Sequence, residues 1–245
     1  MNHQKTESQS FSEQSNMENS QLLQTKIKSS STSKELFSDL TRHLCADFKP
    51  SEYLNQRLAA GDFDEYPFTM LKILEDIPQS PIHHPEGCVW NHVCLVVDYG
   101  AQVRQQSRDP LVFMWAALLH DLGKSKTTRE RRGRITAYEH DTVGMHMAVE
   151  FLSELTEDEA LIKKVSMLVK YHMHPLYILK KLPFGNLQAM KADTDIREIA
   201  LLGFCDRMGR TGSKGEDENK SINEFLLKCG INNSPLSLFS HINHR

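Results

Sequence analysis

The chain has 245 residues, of which 39% are hydrophobic and 25% are charged, as in an ordinary globular protein. Its formal net charge of −3 excludes the strong basic excess of proteins that bind DNA in bulk. The longest apolar run, Leu111–Leu119, is far shorter than the roughly 20 residues needed to cross a bilayer, so no membrane span is expected. Five cysteines without paired spacing predict reduced thiols and a cytoplasmic protein.

The chain divides by composition into a tail, a folded region and a short end. Residues 1–34 are rich in Ser and Gln and poor in apolar residues, which predicts a disordered polar tail. Apolar residues then recur at helical spacing, which predicts one folded domain over residues 35–235, and residues 236–245 are predicted to be flexible. No alternating run of β-branched residues indicates a strand, so the predicted fold class is an all-α helical bundle.

The order of the predicted helices follows from apolar spacing and from capping residues. Asp109 before Pro110 marks the start of one helix, and Thr156 with Glu159 forms a capping box before another. Prolines at 78, 81 and 85 predict an extended loop, and the polar, basic residues 125–137 predict a second loop. The predicted helices cover about 37–48, 53–59, 68–74, 88–106, 111–121, 139–155, 157–172, 195–208 and 221–229.

His120 and Asp121 end a predicted helix that is apolar on every side. Burying an imidazole beside a carboxylate is costly unless both are satisfied, either by backbone hydrogen bonds or by a divalent cation. More histidines and an aspartate lie on the inner faces or at the ends of other predicted helices: His92, His140, His172 and Asp206. Metal sites in helical bundles are built from such inward side chains. Donors of this kind suit Mn, Fe, Ni, Co, Zn or Mg.

The order of these residues resembles the H…HD…H…H…D pattern of HD-domain metal-dependent phosphohydrolases. Residues 117–124, ALLHDLGK, are close to the central signature of that family. Residues 84–92, HPEGCVWNH, resemble the start of the HD domain attached to bacterial CCA-adding tRNA nucleotidyltransferases. The resemblance covers about residues 48–210, with a motif core at about 84–210. It implies an HD fold and phosphoester chemistry.

The chain departs from the tRNA enzymes in one respect. The acidic nucleotidyltransferase motif of their polymerase head is absent, and the first 47 residues are too few to hold that head. Nucleotide addition is therefore not expected of this chain.

The resemblance also implies which residues bind one or two divalent ions. Asp121 is predicted to bridge two ions, and it is also a predicted catalytic residue. The ligands of the first ion would be completed by His92, His120 and Asp206, and those of the second by His140 and His172. With a single ion, His140 and His172 would instead bind the substrate phosphate. His174 is the competing choice for His172.

Three further residues have two or more possible roles. Lys124 lies just past a helix end, where it either stabilises that end or contacts the substrate phosphate, and the second role is predicted. The run 129–134 is either a solvated loop or a phosphate-binding segment, with Arg134 as the predicted substrate-binding residue. Glu86 is also predicted to lie at the substrate, although it equally fits an orienting partner of His92, a proton donor or a loop cap. Arg207 and Arg210, which flank Asp206, are weaker candidates.

The leading hypothesis for function is a phosphohydrolase that acts on a nucleotide, a cyclic nucleotide or an RNA terminus. A second hypothesis is a non-catalytic module that binds a nucleotide or tRNA and holds a structural metal. A third is a di-iron oxygenase of the HD fold. The basic segment favours a phosphate-bearing substrate over an oxidised carbon compound.

Overall fold

The structure is a computed structural model, and it describes residues 32–232. It divides the chain into two units, residues 1–39 and 40–245. The first helix, α1, covers residues 32–46, so residues 32–34 of the predicted tail are helical. The rest of that tail and the predicted flexible residues 236–245 lie outside the described residues.

The all-α prediction is confirmed, with one two-stranded hairpin as the exception among the described residues. Two short 3-10 helices, Ile73–Asp76 and Arg104–Gln106, extend α3 and α4. No helix between residues 32 and 232 is long and apolar enough to span a bilayer. The α-helices after α1 are α2 (Pro50–Ala59), α3 (Thr69–Lys72), α4 (Val89–Val103), α5 (Pro110–Leu119), α6 (Lys124–Thr127), α7 (His140–Ser153), α8 (Glu159–Tyr171), α9 (His174–Leu179), α10 (Leu187–Asp193), α11 (Ile196–Met208) and α12 (Gly215–Lys228).

Helix α5 forms the centre of the bundle. Its N-cap is Asp109, which accepts a hydrogen bond from the Val112 amide as the sequence predicts. Every residue from Val112 to Leu119 is buried, because α5 packs against α4, α8 and α11. Burying a large apolar side chain contributes roughly 1.5–3 kcal/mol, so this helix fixes the position of whatever follows it. His120 and Asp121 follow it directly.

The segment predicted as a loop over 125–137 is instead α6 followed by a hairpin of β1 (Arg129–Arg131) and β2 (Arg134–Thr136). Arg132 and Gly133 join the strands with φ values of 54° and 73°. Positive φ at both turn residues suits a tight hairpin, and glycine adopts it without strain. The strands were not predicted because their residues are almost all polar.

Other boundaries also differ from the sequence-based prediction. The predicted capping box before α8 is wrong, since Asp158 caps the helix by accepting from the Leu161 amide at 3.0 Å. Helix α12 begins at Gly215 rather than at 221. Helices α9 and α10 were not predicted, because each is short and is flanked by loop residues.

Candidate metal centre

The six predicted ligands meet around Asp121, and all of them are buried. They come from different elements because the ends of the core helices converge at this point. Asp121 and His120 follow α5, His172 follows α8, and His140 begins α7. The other two ligands lie within α4 and α11, and they are His92 and Asp206.

The two oxygens of Asp121 face different histidines. Oδ2 lies 3.3 Å from His120 Nε2 and 3.8 Å from His92 Nε2. Oδ1 lies 3.5 Å from His140 Nε2 and 3.9 Å from His172 Nε2. In each group the potential ligand atoms lie within 4.8 Å of one another. One carboxylate thus joins two groups of imidazoles, as a ligand shared by two ions would.

Backbone hydrogen bonds fix which nitrogen of three histidines carries the proton. Nδ1 of His120 donates to the Ala117 carbonyl at 2.9 Å, that of His140 to the Ala137 carbonyl at 2.7 Å, and that of His172 to the Val169 carbonyl at 2.6 Å. A carbonyl only accepts, so Nε2 of each neutral ring is left with a lone pair directed at Asp121.

These lone pairs lack hydrogen-bond donors. Nε2 of His140 and Nε2 of His172 lie 3.2 Å apart with no proton between the neutral rings. His120 Nε2 and Asp121 Oδ2 are buried without a hydrogen-bond partner. Lys124 Nζ lies 2.7 Å from Asp121 Oδ2, but this contact is an ion pair that lacks hydrogen-bond geometry. Buried nitrogen and oxygen atoms with unpaired lone pairs are suitable ligands for a divalent cation.

The protonation states also suit ligands. Burial, together with the neighbouring His140 and His120, lowers the pKa of His172 to about 3. Burial lowers the pKa of His140 as well. Burial opposes ionisation of Asp121, yet the neighbouring Lys124 and His120 hold its pKa well below the usual range. His140 and His172 are therefore neutral and Asp121 is ionised at neutral pH. At His92, burial lowers the pKa, but the hydrogen bonds with Asp206 and Glu86 outweigh it and raise the pKa.

Glu86 lies behind His92 and does not line the cavity that opens onto the centre. Its Oε1 accepts from His92 Nδ1 at 2.9 Å and from His84 Nδ1 at 2.8 Å, and its Oε2 accepts from the Thr211 amide at 3.2 Å. His92 Nε2 in turn lies 3.0 Å from Asp206 Oδ1. Burial raises the pKa of Glu86, but the hydrogen bonds from His92, the backbone and His84 outweigh it and lower the pKa to about 2. This geometry favours the orienting role over the predicted substrate contact or a proton donor.

Glu86→Gln is expected to make the melting temperature less sensitive to acidic pH. A carboxyl whose folded-state pKa is depressed contributes stability above its ordinary pKa of 4.5, and this contribution is lost as the pH falls towards 2. The melting temperature of the wild type should thus fall more steeply between pH 4.5 and 2 than that of the variant. Circular dichroism melts measure both, and Glu157→Gln, an exposed change, should leave the wild-type slope intact. Identical slopes for all three proteins would contradict the assignment.

A cavity of about 210 Å³ opens onto the centre. Two cationic side chains line it, Lys124 and Arg210. Lys124 Nζ is held between Asp121 Oδ2 and Gln79 Oε1, each at 2.7 Å, and Arg210 Nη2 lies 3.3 Å from Asp206 Oδ2. Arg134 is exposed on β2 and does not line the cavity. The cavity therefore presents cations that suit an anionic group, although Arg134 is not one of them.

Three cavity residues were missed or rated low by sequence reasoning. Gln79 lies in the proline-rich loop, where no pattern indicates a role. His84 belongs to the 84–92 motif but was given no role at the site, yet it lines the cavity. Arg210 was rated with Arg207, but Arg207 pairs with Glu218 at 2.9 Å instead. One signal was present for Arg210: it stands four residues after Asp206, just past the end of α11, where the helical backbone angles of Gly209 let the two side chains approach.

The structure separates the two histidines that competed for one ligand position. His172 lies in the cluster, as predicted. His174 packs between Tyr171 and Tyr177, at ring-centroid distances of 4.7 and 5.6 Å, and its Nε2 accepts from the Asn186 amide at 3.3 Å.

A comparison with known protein families gives a match over the segment that carries the His and Asp cluster. Residues 89–208 match the model of the HD domain family. Over these residues the chain is similar to the HD domain family. This match begins with α4 and ends with α11, so it includes all six clustered residues.

The chain is also similar to several proteins named Multifunctional CCA protein. It is 29% identical to that of Nitrosospira multiformis over 200 residues, which cover 72% of this chain and 47% of the relative. It is 26% identical to that of Halorhodospira halophila, over 66% of this chain and 43% of the relative. It is 30% identical to that of Actinobacillus pleuropneumoniae serotype 5b, over 58% of this chain and 35% of the relative. The chain therefore spans less than half of the length of these relatives.

Proposed function

We propose that the HD domain is a metal-dependent phosphohydrolase that cleaves a phosphoester of a nucleotide, a cyclic nucleotide or an RNA terminus. The observation that carries this proposal is the pair of Nε2 lone pairs on His140 and His172, facing each other and Asp121 at the floor of a cavity with cationic walls. The resemblance of residues 84–92 to the HD domain of tRNA enzymes adds the RNA terminus to the substrates.

The residues divide into holders of the ions and holders of the phosphate. Divalent ions, when bound, supply Lewis acidity towards a phosphoryl oxygen and lower the pKa of water. Asp121 would be a ligand common to both groups that could hold an ion, and Glu86 would fix the ring of His92 from behind. The remaining ligands would be His120 and Asp206 on one side and His140 and His172 on the other. Lys124 and Arg210 would hold the phosphoryl group by charge-assisted hydrogen bonds.

Two ions fit this centre better than one. With a single ion, His140 and His172 would have to donate hydrogen bonds to the phosphate through Nε2. Their protons lie on Nδ1, bound to the carbonyls of Ala137 and Val169. Neutral rings in that state accept at Nε2, which suits a second ion rather than a phosphate oxygen.

Lys124→Ala is expected to lower kcat/KM for phosphoester hydrolysis about ten- to a hundredfold. This corresponds to about 1.4–2.7 kcal/mol of transition-state stabilisation, a reasonable loss for one charge-assisted phosphate contact. Bound metal should be retained, because Lys124 is not among the metal-binding groups. The matched control is Lys126→Ala, an exposed lysine on the same short helix. Equal kinetics for the two variants would remove Lys124 from the mechanism.

The direct experiment is a substrate panel. Cyclic nucleotides, nucleoside monophosphates and RNA with a terminal phosphate are each incubated with Mn²⁺, Ni²⁺, Co²⁺, Fe²⁺, Zn²⁺ or Mg²⁺, and with chelator alone. Release of phosphate or opening of the cyclic ester in a metal-dependent manner is expected. Binding of nucleotide or RNA without turnover under every condition would instead favour the non-catalytic module. Consumption of dioxygen without phosphoester cleavage would favour the oxygenase.

A further inference from the structure

The hairpin between α6 and α7 places arginines against each other. Arg131 of β1 is paired in register with Arg134 of β2, and Arg129 is paired with Thr136. Like charges directly opposite each other destabilise a strand pair. All of β1 and Arg134 are exposed. No ion pair or hydrogen bond to a carboxylate neutralises Arg131, Arg132 or Arg134 within the described part of the chain. These three arginines therefore have no carboxylate counterion among the described residues, although the net charge of the whole chain is negative.

The opposite face of the same hairpin borders the cavity. Side chains alternate between the faces of a strand, so Ile135 points away from the side that carries Arg131 and Arg134. Ile135 lines the cavity. The same strand face carries Glu130, the cross-strand partner of Ile135, and Thr136 at the end of β2 also lines the cavity. The hairpin therefore borders the cavity through Ile135 and Thr136, while Arg131 and Arg134 lie exposed on its outer side. An anion that binds the outer side lies beside the substrate cavity and not in it.

The cavity is too small for a long substrate. Its volume of about 210 Å³ is below the roughly 300–1,000 Å³ of pockets that enclose small organic ligands. It suits a terminal phosphoryl group with its sugar and leaves the rest of a larger substrate outside. Tyr138 stands at the rim, one residue beyond the cavity residue Ala137, and is 68% exposed. Exposed aromatic rings beside basic grooves are typical of surfaces that bind single-stranded nucleic acids.

We propose that the outer side of the hairpin and Tyr138 bind a single-stranded polynucleotide whose end enters the cavity. Arg131 and Arg134 contact consecutive phosphates of the backbone, and the ring of Tyr138 stacks on a base. The backbone phosphates then neutralise Arg131 and Arg134, which have no counterion among the described residues. This inference rests on the proposed function for the reaction at the strand end. It narrows the substrate class to polynucleotides, because a free mononucleotide does not reach both surfaces.

The test measures binding rather than turnover. A fluorescent twelve-residue oligoadenylate with a 3′-hydroxyl is titrated with the wild type, with Arg131→Gln/Arg134→Gln, and with the matched control Lys163→Gln/Lys220→Gln. The control removes two exposed charges from α8 and α12. At low salt the arginine variant should bind at least about tenfold more weakly, while the control binds like the wild type.

The salt dependence separates phosphate contacts from a structural effect. For single strands each phosphate contact contributes roughly 0.7 to the slope of log K against log salt, so the slope should decrease by about 1.4 in the arginine variant. Tyr138→Ala should weaken binding about five- to a hundredfold with an unchanged slope. The same arginine dependence is expected with oligodeoxyadenylate, because guanidinium groups contact the phosphates that both strands share.

Two results would overturn the inference. One is a wild-type affinity for the oligonucleotide no higher than for adenosine monophosphate. The other is an arginine variant with the affinity and the salt slope of the wild type. Hydrolysis of cyclic nucleotides, nucleoside monophosphates and RNA with a terminal phosphate by the wild type is measured separately. Absence of hydrolysis with every one of them would defeat the proposed function and leave the binding result intact.

Discussion

Asp121→Asn is expected to lower kcat/KM for phosphoester hydrolysis at least about a thousandfold, which corresponds to about 4 kcal/mol. Asp121 is the group shared by both sets of potential ligands, and its oxygens face four imidazoles. An amide has one oxygen and no charge, so it cannot bridge two cations. The substitution also leaves the buried Lys124 without its charged partner, which should lower the melting temperature. Steady-state kinetics measure the loss of activity, elemental analysis measures the loss of bound metal, and a thermal melt measures the loss of stability.

The matched control for this change is Asp217→Asn, which removes an exposed carboxylate from α12. Its metal content and kinetics should match those of the wild type. If Asp121→Asn retained the full complement of bound metal, Asp121 would not be the shared ligand.

Gly123→Ala is expected to destabilise the fold by about 3 kcal/mol and to reduce metal binding. A Cβ at this position would lie 2.0 Å from the His140 carbonyl oxygen and 2.6 Å from the Gly144 amide nitrogen. Backbone cannot move aside as a flexible side chain does, so α7 would have to shift and carry His140 with it. Chemical unfolding and metal titration of the variant measure the two consequences.

Gly212→Ala is the control for the added methyl group. A Cβ there meets no atom within 4 Å, and only the φ of +92° is unfavourable. It should cost about 1–2 kcal/mol and leave metal affinity unchanged. Wild-type metal affinity in the Gly123→Ala variant would show that the contact between α6 and α7 does not position His140.

The sequence predicts the parts of the site that follow from helical periodicity. His120 and Asp121 come after an all-apolar stretch, so their burial follows from the pattern alone. His92 shares a helical face with apolar residues, and that face turns inward as expected. The order of the six predicted ligands along the chain resembles the HD-domain pattern, and this resemblance predicted which residues form the cluster.

The sequence does not predict contacts that depend on how distant loops meet. Gln79 reaches Lys124 only because the proline-rich loop folds over the end of α5. Glu86 was considered as an orienting partner of His92, but its third hydrogen bond comes from the Thr211 amide, 125 residues away, which no local pattern encodes. Gly123 lies just past the predicted helix 111–121, and only the structure shows that its lack of a side chain allows α7 to approach. Such requirements arise from tertiary packing.

We propose that the His and Asp cluster binds the ions that the phosphohydrolase reaction requires. The decisive measurement is the rate of cyclic-nucleotide or RNA-terminus hydrolysis as a function of the number of transition-metal ions bound per chain. No hydrolysis is expected in metal-free protein, and the rate is expected to rise with occupancy to a maximum at two ions. Full activity in rigorously metal-free protein, or no activity at any occupancy with any of the candidate metals, would contradict it.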